Sequence, residues 1–235
     1  MVIVLSVAAG FGGFRLGATF AEGKTSGSCD DEGCTVVDAF ETIEGCAIKP
    51  ETVCPGVDLS GQELVSAPLY GADLSGADLS DTDLGSATLM AADLGEAALD
   101  DAEVANANLA LVDLTGATFA GADLTASSLR GADLTGVDLS GLALTGADLS
   151  GATLSRATLA GTDLTNAVLA GADLSGADLT GALLSNAVLN GANLSGALLV
   201  NADLSNAALV GATTDGADLT GAVTTNAIGL PGVGG

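Results

Sequence analysis

Four cysteines and thirty carboxylates are the side chains of this 235-residue chain whose types and clustering could do chemistry. Cys29, Cys34, Cys46 and Cys54 fall in one acidic, loop-like stretch, spaced C-x4-C-x11-C-x7-C. There is no C-x-x-C pair and no histidine in the chain, so this spacing fits no zinc module and reads as two disulfides made in an oxidising compartment. Three connectivities are open to four cysteines. The competing reading is a reduced cap in which they serve as small buried apolar residues. Absence of histidine also removes the commonest general base, and the many Ser and Thr hydroxyls have nothing to activate them. The expectation is a non-enzymatic protein with no cofactor and no dedicated metal site.

Thirty acidic against five basic residues give a net charge of −25, which repels nucleic-acid phosphate, so direct nucleic-acid binding is not expected. Hydrophobic residues make up 48% of the chain, which is enough for a core and argues against disorder, but only 3% are aromatic. That core must be narrow and built from Leu and Ala.

The elements that position the carboxylates are legible from Gly71 to Ser80, where Gly-Ala-Asp-Leu-Ser occurs twice in succession. From Val57 to Asn226 the chain reads as 34 consecutive pentapeptides without a slip of register, and the central residue is Leu in 30 of them, the exceptions being Val104, Phe119, Thr214 and Thr224. Ala stands two residues before the centre in 26 repeats, so by period-two alternation both positions point to one side of an extended strand. Two residues after the centre stands Gly in 19 repeats and Asn in 6, the residues that best accept the positive φ of a type II turn. An extended step and a corner every five residues fit neither an α-helix nor a flat sheet. They fit a coil.

Ala-Asp-Leu-Ser-Gly iterated in this way resembles the pentapeptide repeat family over about 170 residues. The resemblance implies an all-β fold, a right-handed quadrilateral β-helix with four pentapeptides per coil. It would have about eight and a half coils and form a rod ~40 Å long at ~4.8 Å per rung. Residues twenty apart would then share a face. One face carries Asp73, Asp93, Asp113, Asp133 and Asp173, the next Asp58, Asp78, Asp138, Asp178 and Asp218, and a third Glu63, Asp83, Glu103, Asp123, Asp163 and Asp203. On the fourth, Tyr70, Met90, Leu111, Val168, Val188 and Val210 form an interrupted apolar stripe with a single acid, Asp148, a candidate surface for a protein partner or for self-association. Leu183, Leu198, Val200 and Val223 make the last coils apolar as well. Carboxylates one rung apart approach the ~5 Å separation of retaining glycosidases, but outer walls lack the cleft that would set two pKa values apart.

Residues 1 to 14 are apolar and uncharged, too short for a membrane span, and Thr19-Phe20-Ala21 offers a cleavage site, so 1–21 is expected to be a signal peptide. A basic n-region is missing, which leaves a buried cap as the other reading. The remaining divisions are a cysteine-containing cap at 22–56, the repeat at 57–226 and a tail at 227–235, whose Leu230 and Pro231 are placed to plug the open end. The mature chain is expected to have no membrane span. Two functions follow. The first is an exported, acidic scaffold that binds a protein through its less acidic face or its last coils. The alternative, taken from a branch of the resembled family, is a cytoplasmic DNA mimic that binds a topoisomerase. The repeat's 22 acids and two Arg place one net charge per ~2 Å of rod, against one per ~1.7 Å of duplex DNA. A third possibility is that the acidity is an adaptation to salt, leaving the acidic faces without partners.

Overall fold

A computed structural model of the chain describes residues 26–30, 33–37 and 42–230. The expected signal peptide and Pro231 lie outside the described residues. Two short antiparallel pairs precede the repeat. Strand β1 (Ser26–Asp30) pairs with β2 (Gly33–Val37), and β3 (Thr42–Ile43) pairs with β4 (Cys46–Ala47). The second pair turns through Glu44 and Gly45, both at positive φ (49° and 81°), as a two-residue hairpin requires. No helix occurs among the described residues.

A unit with two inward apolar positions per five residues must bring the chain back over itself, and the hydrogen bonds record that return. Every isolated bridge from Val53 to Ile228 joins residues twenty apart, in parallel. One coil is therefore four pentapeptides with four bridged columns. The ladder also takes in Thr52 to Gly56, with Cys54 at the central position, through Cys54 N–H to Asp73 O (2.8 Å) and Gly56 N–H to Ser75 O (2.8 Å).

Each pentapeptide uses its donors in the same way. The central N–H bonds to one neighbouring coil (Leu59 to Asp78 O, 2.8 Å), and so does the corner N–H (Gly61 to Ser80 O, 2.8 Å). The residue before the centre bonds to the coil on the other side (Asp78 to Val57 O, 2.9 Å). The first residue closes the turn (Ala77 N–H to Leu74 O, 3.0 Å). The fifth residue sits at positive φ whether it is Gly, as at Gly61 (65°), or not, as at Asn166 (60°).

Inside, Leu and Ala alternate in a shaft without solvent; Leu134 and Ala132 are both fully buried. Burying one such Leu contributes roughly 1.5–3 kcal/mol. Ser127, Thr82 and Thr162 occupy Ala positions and are buried, yet each hydroxyl donates to a carbonyl, Thr82 to Leu59 O (2.9 Å), Thr162 to Leu139 O (2.7 Å) and Ser127 to Leu124 O (2.8 Å). At the far end the interior becomes half-exposed, and there Thr214 and Thr224 replace Leu. Leu230, the last described residue, is buried.

The ladder opens at one place. The bonds expected from Gly116, Phe119, Gly121, Asp138 and Ala143 N–H are missing, as is the bridge between Thr118 and Asp138. Phe119 fills a Leu position, while Val137 and Leu142 fill Ala positions in the next coil, and all three are buried. The shaft is overfilled at this level, and the coils part on that side, leaving a cavity lined by Phe119, Leu142, Asp100 and Asp138. Overpacking of this kind typically costs about 1–3 kcal/mol. Phe119→Leu combined with Leu142→Ala is expected to close the gap. Hydrogen exchange should show amides 116–121 and 135–143 exchanging on the order of tenfold faster than their equivalents in other coils, and slowing in the double variant. Equal exchange in the parent chain would show that the opening is not populated in solution.

Candidate interaction surface

Four of every five backbone N–H groups are used by the ladder and the turn. The one left over belongs to the residue after the centre, and the Asp before the centre takes it. Asp58 Oδ1 accepts from Ser60 N–H at 3.0 Å and from the Ser60 hydroxyl at 2.6 Å. The same N–H contact is made by every Asp at this position of the repeat, at residues 58, 73, 78, 83, 93, 113, 123, 133, 138, 148, 163, 173, 178, 203 and 218. Asn108 and Asn193 do likewise. Sequence reasoning placed these residues on outer walls and missed the contact, although the signal was present as the recurring Asp-Leu-Ser or Asp-Leu-Thr. It is an Asx turn.

At six of these carboxylates proton affinity is lowered. The Ser60 hydroxyl, then its N–H, hold Asp58 below the ordinary carboxylate value; Ser140 acts in the same way on Asp138, Thr165 on Asp163, Ser205 on Asp203 and Thr220 on Asp218. Burial pushes Asp148 up, but the Ser150 hydroxyl and N–H together with Arg130 outweigh it, and the net shift is down. The Arg130 to Asp148 pair, 2.9 Å, is the one ion pair among the described residues and is largely exposed, so its net contribution is small.

The acidic columns are continuous only in part. Asp73, Asp93, Asp113 and Asp133 bridge in succession, as do Glu63, Asp83, Glu103 and Asp123, whereas Thr153 separates Asp133 from Asp173. A shallow depression lined by Asp93, Glu96 and Asp113 lies beside the first column. Among the described residues no group of His, Cys, Asp or Glu has the arrangement to hold a metal ion.

The apolar stripe divides in two. Tyr70, Met90 and Leu111 are exposed (43%, 42% and 64%) at one corner in successive coils. Gly71 N–H bonds to Met90 O and Ala91 N–H to the carbonyl of Ala110, the residue before Leu111, which fixes their succession. The second group, Val168 and Val188, is half-buried and bridged in one column, with Val210 exposed beside it. Between the groups stand Ser128, Arg130 and Asp148. Leu111 is the only large apolar residue among the described positions at positive φ (60°); the other non-Gly ones are Asn, Ala, Ser or charged. The left-handed conformation costs a branched side chain about 1 kcal/mol, and the turn gains nothing from Leu. Its Cδ2 leans over the next coil, where a Cβ on Gly131 would meet it at 2.9 Å.

Of the cysteines, Cys46 and Cys54 form a disulfide with Cα atoms 5.7 Å apart, tying β4 to the first coil. The backbone register sets Cys29 opposite Cys34.

A profile of pentapeptide repeats matches residues 54–90, 67–103, 92–131, 113–151, 147–186 and 187–226. The chain belongs to the pentapeptide repeat family. It is 33% identical to HetL, a pentapeptide repeat protein involved in heterocyst differentiation regulation in Nostoc, over 76% of this chain and 87% of that one, with a TM-score of 0.30. A pentapeptide repeat protein of the Arabidopsis thaliana thylakoid lumen is 39% identical over 40% of this chain and 65% of that one, TM-score 0.26. QnrB1, a plasmid-mediated fluoroquinolone resistance protein, is 19% identical over 72% and 89%, TM-score 0.45. No curated protein sequence matches the chain.

A depressed folded pKa contributes stability that is present above the unfolded value, 3.8, and lost as pH falls through the folded one. Thermal stability is therefore expected to drop below about pH 4, against the opposing relief of like-charge repulsion. Asp163→Asn, which keeps the acceptor, should be close to neutral at pH 7, whereas Asp163→Ala should cost about 0.5–1 kcal/mol by analogy with a lost cap. Equal melting temperatures for the two variants would remove the structural role from this carboxylate.

Proposed function

We propose that this protein is a non-enzymatic, exported scaffold that binds another protein through its less acidic side. The observation that carries this reading is the corner bearing Tyr70, Met90 and Leu111, residue types that concentrate binding energy at interfaces, exposed where the repeat itself requires only small or polar groups. The second group, Val168, Val188 and Val210, and the exposed Leu183, Leu198 and Val223 of the last coils extend the surface available to a partner.

Export is supported by the Cys46 to Cys54 disulfide, which belongs to an oxidising compartment. That pairing leaves Cys29 and Cys34 for a second bridge. Within this reading the coils wind as the right-handed quadrilateral β-helix implied by the family, behind a cap at 22–56 that is released from a signal peptide at 1–21. The acidic columns then have a local purpose, satisfaction of the spare N–H, and their charge keeps the rod soluble.

Charge density along the rod favours one alternative, a cytoplasmic DNA mimic that binds a topoisomerase. A photo-crosslinking residue at position 70, compared with one at position 78 on the opposite wall, where the neighbours in the column are Asp58 and Ala98, separates the two in cells. The scaffold predicts a discrete protein adduct formed outside the cytoplasm from position 70 and not from 78. Equal labelling from both positions, or a carboxyl-terminal fusion retained in the cytoplasm together with salt-sensitive inhibition of gyrase by the purified protein, would replace the scaffold with the mimic.

A further inference from the structure

Resting on the scaffold reading, we propose that the corner of Tyr70, Met90 and Leu111, with the adjoining column Asp73, Asp93, Asp113 and Asp133, receives a basic amphipathic α-helix of the partner, lying parallel to the stack axis. The apolar residues succeed one another by coil, and Leu111 reaches over Gly131, so the apolar column spans four rungs. Asp73 follows that corner by two residues, and its three successors bridge one another directly beneath. An apolar strip and a carboxylate strip therefore run side by side along the axis, and the depression among Asp93, Glu96 and Asp113 offers a seat for a cationic head group.

Spacing selects the secondary structure of the occupant. Rungs recur every ~4.8 Å and helical turns every ~5.4 Å, so contacts drift by only about 2 Å across three rungs. Same-side residues of an extended strand recur at ~6.7 Å and drift by about 6 Å. Strand addition is also unavailable here, because the backbone groups of this wall are engaged in the ladder or capped by Asp. Charge selects the rest. A second copy of this chain brings another −25 and has only Arg15, Lys24, Lys49, Arg130 and Arg156 to offer, too scattered for a basic stripe.

Two variants separate binding from folding. Leu111→Gly removes the anchor and relaxes the left-handed corner, so loss of binding cannot be attributed to unfolding. The fourfold change of Asp73, Asp93, Asp113 and Asp133 to Asn keeps every Oδ1 acceptor and removes only charge. The probe is a labelled 18-residue Leu/Lys peptide with one apolar and one basic helical stripe, titrated onto the full chain by fluorescence anisotropy. With no Trp and a single Tyr in the chain, Tyr70 emission reports occupancy of the corner directly. The expected result is salt-sensitive binding that changes Tyr70 emission, weakens severalfold with Leu111→Gly and on the order of tenfold with the Asn set, and is absent for a Glu-for-Lys peptide.

A Pro-interrupted isomer that binds equally well and still depends on Leu111 would overturn the helix while leaving the scaffold intact. Binding indifferent to Leu111→Gly would reduce the interaction to diffuse charge and overturn the site. Dimerisation of the protein alone, lost with Leu111→Gly, would assign the corner to a second copy and overturn the partner helix.

Discussion

The structure depends on the accounting of one backbone donor. Stacking at a twenty-residue period pairs the N–H of the central residue, the corner residue and the residue before the centre with adjacent coils, and the turn takes a fourth. The fifth points outward with no coil to meet it. A short carboxylate two residues earlier reaches it at about the right distance for a charge-assisted bond, which is why Asp and not Glu dominates the position. Glu63 and Glu103 stand there without making the contact, since their extra methylene overshoots.

This changes what the acidity means. A net charge of −25 invites an explanation in terms of partners or habitat, but fifteen of those carboxylates are engaged one by one in closing their own turns. The charge is then partly a by-product of choosing the shortest good acceptor. Asn does the same work at Asn108 and Asn193 without charge. The unbroken run from Asp73 to Asp133 borders the Tyr70 corner.

Size is the complementary constraint. The shaft accepts Leu at the centre and Ala beside it, and departures are answered locally. Thr82 and Thr162 fit because each hydroxyl has a carbonyl within reach, whereas Phe119, Val137 and Leu142 together exceed the space and part the ladder on one wall. Such damage stays local because bridges join only residues twenty apart, one coil to the next.

The five-residue period by itself determined which residues face inward and where the chain turns, because alternation and positive-φ preference are local properties carried by each repeat, whereas the sharing of columns by outer residues was implied by the family resemblance and is recorded by the twenty-residue bridges. It also picked out Tyr70, Met90 and Leu111 as neighbours once twenty residues made a coil. Tertiary structure alone decided the rest. That Asp58 or Asp163 serves a spare N–H follows from which donors the neighbouring coils leave unused. That three modestly large residues at 119, 137 and 142 open the ladder follows from their meeting at one level of the shaft. The half-burial of Val168 and Val188 beside exposed Val210 comes from packing between rungs, which no single repeat encodes. Pairing of Cys46 with Cys54 likewise required the first coil to bring residue 54 beneath β4.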